Sequence, residues 1–159
     1  MDKTIFLSNT DTTIGFISKS KDSLDRAKSR VANKEYITAL PNLNSLKKRT
    51  PKKFNKTIRR AKNSTFILDK SYSFRIIKDK KHLLLISRLK YAYTTSANKS
   101  TQEFNLEFAK SVSDIIVYPL NKLEKPSKIY KLGKSKIIRV RWCLFECKPF
   151  GLLKCKAIN

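Results

Sequence analysis

The sequence predicts a mixed α/β fold in one domain, and two observations carry that expectation. The first is hydrophobic spacing, which alternates short β-branched or aromatic runs with segments that repeat at helical intervals. The second is size: 159 residues, 40% of them hydrophobic, can bury one sizeable core and are too few for two ordinary domains.

The elements follow in order. TIFLS (Thr4 to Ser8) reads as a strand, and TTIGFIS (Thr12 to Ser18) as a second extended segment with Gly15 inside it. KDSLDRAKSRV offers Asp22 or Ser23 as a helix cap and puts Leu24, Ala27 and Val31 on one face. EYITAL (Glu35 to Leu40) is β-branched and aromatic, hence a strand, and Pro41-Asn42 ends it. NLNSLKK and PKKFNKTIRRA read as two helices, the second with Pro51 in its first turn and Phe54, Ile58 and Ala61 at helical spacing.

STFILDKSYSFRIIKD reads as a hairpin around Asp69-Lys70. A helix in HLLLISRLK, a strand in YAYTTS, a helix in NLEFAKSVS and a strand in DIIVY come next. SKIYKL and KIIRVRW alternate apolar and basic residues around Gly133 and close the domain, residues 1–141, as a hairpin. The remaining segment, 142–159, has no clear period and reads as a tail.

Charge narrows the partners. The chain carries 36 basic and 12 acidic residues, a net +24, so self-repulsion is large unless something anionic is bound. From Lys19 to Lys62 there are 15 basic and 3 acidic residues, and from Asn121 to Asn159 a further 11 and 2. Folded together, the two ends make one positive surface that attracts nucleic acid or a polyphosphate; kept apart, they are a solvated coat. A membrane partner is not expected, because no apolar run approaches a span and the cations are not confined to one amphipathic helix. The first residues lack the pattern of a signal peptide, so the cytosol is the expected compartment.

Several chemistries are set aside. Cys143, Cys147 and Cys155 are odd in number and crowd the tail, which argues against a disulfide framework, and a zinc tetrahedron there lacks a fourth ligand because the only histidine, His82, is far away in sequence. One histidine makes no compelling Ser-His-Asp set, and the sparse acids form no recognisable metal or hydrolase pair. Three glycines cannot supply a phosphate-binding glycine loop, so any phosphate site is built from side chains.

Three clusters can build one. NTDTT (Asn9 to Thr13) sets hydroxyls after a strand, where they bind a small polar ligand or make an ordinary turn. Lys28, Ser29 and Arg30, with Lys34 behind, space cations near a helix end to grip one anion, or simply solvate that face. TTSANKS (Thr94 to Ser100) follows a strand and precedes a helix, where open α/β sheets bind ligands.

Taken together, in this order and approximate spacing, NTDTTIGF, KSR with Lys34, STFIL, SFRIIKD, TTSANKS and KPSKIYKL with KIIRVR resemble the YrdC-like threonylcarbamoyl-adenylate synthase family. The resemblance runs from the first strand to Arg141, and its most specific parts are Lys28 with Arg30 and Ser96 with Asn98. It implies an open, twisted mixed sheet with helices packed on it and a basic concave surface. It also implies an activity: condensation of L-threonine, bicarbonate and ATP, the last with Mg²⁺, into threonylcarbamoyl-AMP and pyrophosphate.

Partner proteins then pass the threonylcarbamoyl group to tRNA. By the same resemblance Thr10, Thr12, Lys28 and Arg30 bind threonine and bicarbonate, with Lys28 and Arg30 as the catalytic cations. Lys34, Arg75, Ser96, Asn98, Ser127 and Arg139 belong to the nucleotide, and the protein supplies no metal ligands. The motifs depart from the family at Asn9, Ile14, Thr101, Lys128, Lys131 and Arg141. The alternative reading is therefore a catalytically inactive relative that binds double-stranded RNA or tRNA.

Overall fold

The structure, a computed structural model, describes residues 2–29, 35–69, 72–100, 102–121 and 127–141. The predicted tail, 142–159, and the predicted site residues Arg30 and Lys34 lie outside the described residues.

Among the described residues nine strands form one open, mixed sheet: β1 (Phe6–Asn9), β2 (Ile14–Ser18), β3 (Ile37–Leu40), β4 (Ser64–Asp69), β5 (Tyr72–Ile76), β6 (Ala92–Ser96), β7 (Ile115–Val117), β8 (Lys128–Leu132) and β9 (Ile137–Arg141), in the order β7-β1-β2-β6-β3-β5-β4-β8-β9. The pairs β1/β7, β3/β5 and β4/β8 are parallel and the others antiparallel. Helices α1 (Lys21–Ala27), α2 (Asn55–Arg60), α3 (Lys80–Leu89) and α4 (Leu106–Ser111) complete it. The mixed α/β expectation, with helices packed on an open sheet, is what the chain adopts.

Side chains alternate between the two faces of a strand, so neighbouring residues sort by the helices they meet. On one face Phe6, Ile17, Ala39 and Ala92 pack with Ile86 and Leu89 of α3. On the other, Leu7 and Phe16 pack with Leu24 and Ala27 of α1 and Ala109 of α4, while Leu40, Phe66, Phe74 and Ile76 pack with Leu43 and with Ile58 of α2. Phe66 lies between Phe74 at 5.7 Å and Tyr130 at 5.6 Å, so a ladder of stacked rings ties β5, β4 and β8 together on that second face.

Three local expectations differ. The cap of α1 is Ser20, whose side chain accepts from the Ser23 backbone N–H; Asp22 and Ser23 fall inside the first turn instead. The helix stops at Ala27, Lys28 is its C-cap, and Ser29 turns to φ 48°; Val31, predicted on the same face, lies outside the described residues. NLNSLKK supplies only a 3₁₀ turn, Leu43–Ser45, capped by Asn42. In the next segment a 3₁₀ turn, Lys52–Phe54, precedes α2. With only Leu43 and Leu46 to bury, the first segment has too little apolar face to hold a longer helix.

Candidate functional site

The turn after β1 is organised by one hydroxyl. Thr10 Oγ1 accepts from the backbone N–H of Thr12 at 3.3 Å and of Thr13 at 3.2 Å, and donates to the Thr13 carbonyl at 2.7 Å. Thr10 N–H reaches the same carbonyl at 2.9 Å. This self-bonded turn is what a serine or threonine after a strand favours. It leaves the Thr12 hydroxyl, 3.4 Å from that of Thr10, turned toward the rest of the site.

There it meets Arg75. Arg75 Nη1 donates to Asp11 Oδ1 at 2.6 Å and to Thr12 Oγ1 at 3.1 Å, while Nε and Nη2 donate to Thr65 Oγ1 at 3.2 and 3.0 Å. Thr65 Oγ1 in turn donates to Ser127 Oγ at 3.3 Å. Thr10, Thr12, Arg75 and Ser127 thus form one hydrogen-bonded chain, joined through Asp11 and Thr65.

That chain also reports the shape of the sheet. Between β1 and β5 the order runs β1-β2-β6-β3-β5, four steps of about 4.8 Å each, far beyond the reach of one side chain. The Thr10–Thr13 turn is tight, so it is the sheet that curls until the end of β1 faces β5. The concave side carries Arg75 and Thr65, opposite in pleat to Phe74, Ile76 and Phe66.

Lys28 builds a second group beside the first. Its ammonium donates to the Ser96 carbonyl at 2.9 Å and to Asn98 Oδ1 at 3.1 Å. Ser96 Oγ also donates to Asn98 Oδ1, and Asn98 Nδ2 donates to the Gln102 carbonyl at 2.7 Å. Ending α1 at Ala27 is what frees the Lys28 stem to cross to β6, where only 4% of the residue stays exposed.

Gly15 joins the two groups. It pairs with Ser96 in the β2/β6 register, and a Cβ built on it would stand 2.8 Å from the Thr95 carbonyl and 3.0 Å from the Thr10 methyl. Glycine is needed for that closeness. Of the remaining predicted site residues, Arg139 is half-buried on β9 opposite Tyr130, which puts it on the face of the stacked rings and not on that of Arg75.

Three residues at the site were not anticipated. Asp11 lies between the two threonines singled out, Thr65 lies inside STFIL, and His82 was set aside for its distance in sequence. His82 is 1% exposed on α3, and burial pushes its imidazole down to about 4, helped by the nearby Arg75 charge and opposed by Asp11 and Asp79. Among the described residues, both His82 ring nitrogens, Asp11 Oδ2 and Asn9 Oδ1 are buried without a hydrogen-bond partner. No group of three or more His, Cys, Asp or Glu residues that could hold a metal occurs among the described residues. No helix among them is long and apolar enough to cross a membrane.

Comparisons with known proteins agree with this architecture. No family model matches the chain. An uncharacterized protein of Mycoplasma genitalium, MG259, is 31% identical over 144 residues, which make up 82% of this chain and 31% of that protein. The chain therefore spans about a third of the length of that relative.

The crystal structure of P. abyssi Sua5 complexed with L-threonine superposes with a TM-score of 0.74 at 16% identity, covering 87% of this chain and 50% of that one. The crystal structure of E. coli YciO superposes with a TM-score of 0.67 at 17% identity, covering 87% of this chain and 82% of that one. The open mixed sheet curled round the Asp11–Arg75 pair thus has the fold of Sua5 and YciO, that of the YrdC/Sua5 family.

Proposed function

We propose that the chain is an L-threonylcarbamoyladenylate synthase, joining L-threonine, bicarbonate and ATP into threonylcarbamoyl-AMP and pyrophosphate for tRNA modification. The observation that carries the reading is the seat of Lys28 on Ser96 and Asn98, because it unites the two most specific motifs of the resemblance at one place. The L-threonine complex of the Sua5 neighbour supports the threonine side.

The chemistry needs positioned cations more than a strong acid or base. Threonine's amine adds to the carbon of bicarbonate, with loss of water, to give an N-carboxylate. One of its oxygens attacks the α-phosphorus of ATP, and the bond to the β-phosphate oxygen breaks to release pyrophosphate. Negative charge gathers at the reacting oxygens, so fixed donors lower the barrier.

Lys28 is the cation for that charge, with Arg30 as its predicted companion. Thr12 Oγ1 accepts from Arg75, and its proton, which faces Thr10 Oγ1 at 3.4 Å, can turn from that long contact to a ligand oxygen. The second oxygen of Asp11, Oδ2, suits a donor such as the threonine amine. Arg75 is a positioning residue here, since its fork holds Asp11, Thr12 and Thr65. Lys34, Ser96, Asn98 and Ser127 are assigned to the nucleotide. Its Mg²⁺ rides on the phosphates, as that ion does when few carboxylates hold it.

The test is incorporation of radiolabelled bicarbonate into an adenylate by nucleic-acid-free protein. Product that requires ATP, Mg²⁺ and threonine together supports the synthase. Absence of product from folded protein that still binds ATP or RNA would overturn it in favour of the inactive relative.

A further inference from the structure

His82 occupies a place where packing alone calls for an apolar residue. The buried residues of α3 are His82, Ile86 and Leu89, at the spacing of one helical stripe. Ile86 and Leu89 pack on Phe6, Ile17, Ala39 and Ala92 of the sheet. Ala39 pairs with Arg75 across β3 and β5, and directly paired residues share a face, so α3 covers the side that carries Arg75. The histidine end of the stripe comes under the influence of the Asp11–Arg75 pair: the charges of both act on its imidazole, that of Asp11 more than that of Asp79, the cap of its own helix.

The bonding of the two groups is incomplete in a matching way. Arg75 holds Asp11 Oδ1 at 2.6 Å, while Oδ2 of the same carboxylate and both nitrogens of the His82 ring are buried without a hydrogen-bond partner among the described residues. Burial keeps the ring neutral, with Arg75 helping and Asp11 and Asp79 opposing, so it carries one N–H donor and one acceptor. A buried donor and a buried carboxylate oxygen that act on each other without touching are what an ordered internal water joins.

We propose that His82 is a positioning residue for Asp11: its ring N–H donates to one buried water, and that water donates to Asp11 Oδ2. Arg75 then fixes one oxygen of the carboxylate and His82 the other, which stops the group from turning about its Cβ–Cγ bond. A carboxylate oxygen has a second lone-pair site, so Oδ2 still accepts from the threonine amine; this part of the proposal rests on the synthase reading. An acceptor already held still loses no freedom when the amine binds, which is how a residue behind the site raises affinity for the ligand in front of it. A leucine at this position would fill the stripe as well and leave Oδ2 unheld.

The experiment titrates threonine into folded wild type, His82→Gln and His82→Leu, each also in an Asp11→Asn background, with ATP binding as the control. Glutamine keeps a donor in the place of the ring, and leucine keeps the bulk alone. Threonine affinity is expected to fall about tenfold in His82→Leu, the scale of one hydrogen bond to a charged group, and to stay within about threefold of wild type in His82→Gln. ATP affinity is expected to be unchanged in both. With Asp11→Asn already present, His82→Leu is expected to cost less than about threefold more, because the charged partner is gone. Wild-type affinity in His82→Leu, equal losses in the two His82 variants, or full additivity with Asp11→Asn would overturn the proposal.

A second readout uses the wild type alone and needs no variant that folds. Proton NMR is expected to show a slowly exchanging His82 ring N–H with a cross-peak to a long-lived water. A ring N–H without that contact would overturn the bridge. The contact in a protein that binds no threonine would support the bridge and overturn the synthase reading instead.

Discussion

Asn98 Oδ1 accepts a hydrogen bond from the Lys28 ammonium at 3.1 Å, across 70 positions of sequence. The contact is made at the join of α1 and β6, so one side chain both orders the loop after β6 and carries charge into the candidate site. Lys28→Ala is expected to lower adenylate formation by about a hundredfold or more, the usual scale for removing one fixed donor from developing charge. Steady-state assays with each substrate varied check this, and wild-type turnover would refute the assignment of Lys28.

Arg75 and Asp11 are 7% and 8% exposed, and their pairing closes the concave side. Arg75→Met leaves a buried carboxylate without its partner and is expected to cost about 3 to 5 kcal/mol in urea denaturation. Asp11→Asn in the same background neutralises that carboxylate and is expected to restore a large part of the loss. A double variant no better than Arg75→Met would mean that the Thr65 and Thr12 contacts, not the charge pair, carry the stability.

His82 makes stability depend on pH. Its folded-state value of about 4 lies below the ordinary 6.5, so the folded protein keeps it neutral while the unfolded chain takes up a proton. Stability from this group is whole above about pH 6.5 and is lost as pH falls toward 4, by roughly 3 kcal/mol across the window. His82→Leu is expected to flatten that part of the profile in unfolding measured from pH 7.5 to 4. An unchanged slope would show that other groups govern the acid limb.

Gly15 lets the Thr95 carbonyl of β6 and the Thr10 methyl lie close against β2. Gly15→Ala places a methyl against the Thr95 carbonyl, a backbone atom that cannot swing aside. The expected cost is about 1 to 3 kcal/mol, with threonine affinity weakened through the displaced Thr10 turn. Thermal unfolding and threonine titration read the two effects separately.

By itself the sequence determined the alternation of elements, because strand and helix periods are local properties of hydrophobic spacing. Gly133 between two alternating runs reads directly as the β8/β9 hairpin, and STFIL with SFRII as β4 and β5. The residue types of the site were legible too, since Thr10, Thr12, Lys28, Ser96 and Asn98 lie in short motifs of characteristic order.

Only the tertiary structure decided which of them touch. Lys28 finds its partners 68 and 70 positions away, at Ser96 and Asn98, which no window of neighbouring residues contains. Asp11, Thr65 and His82 join the site because the sheet curls, and the curl is the sum of small twists over five strands. The same strand alternation sends Arg75 and Phe74 to opposite sides of the sheet, so that one meets Asp11 and the other packs under α2 with Ile58.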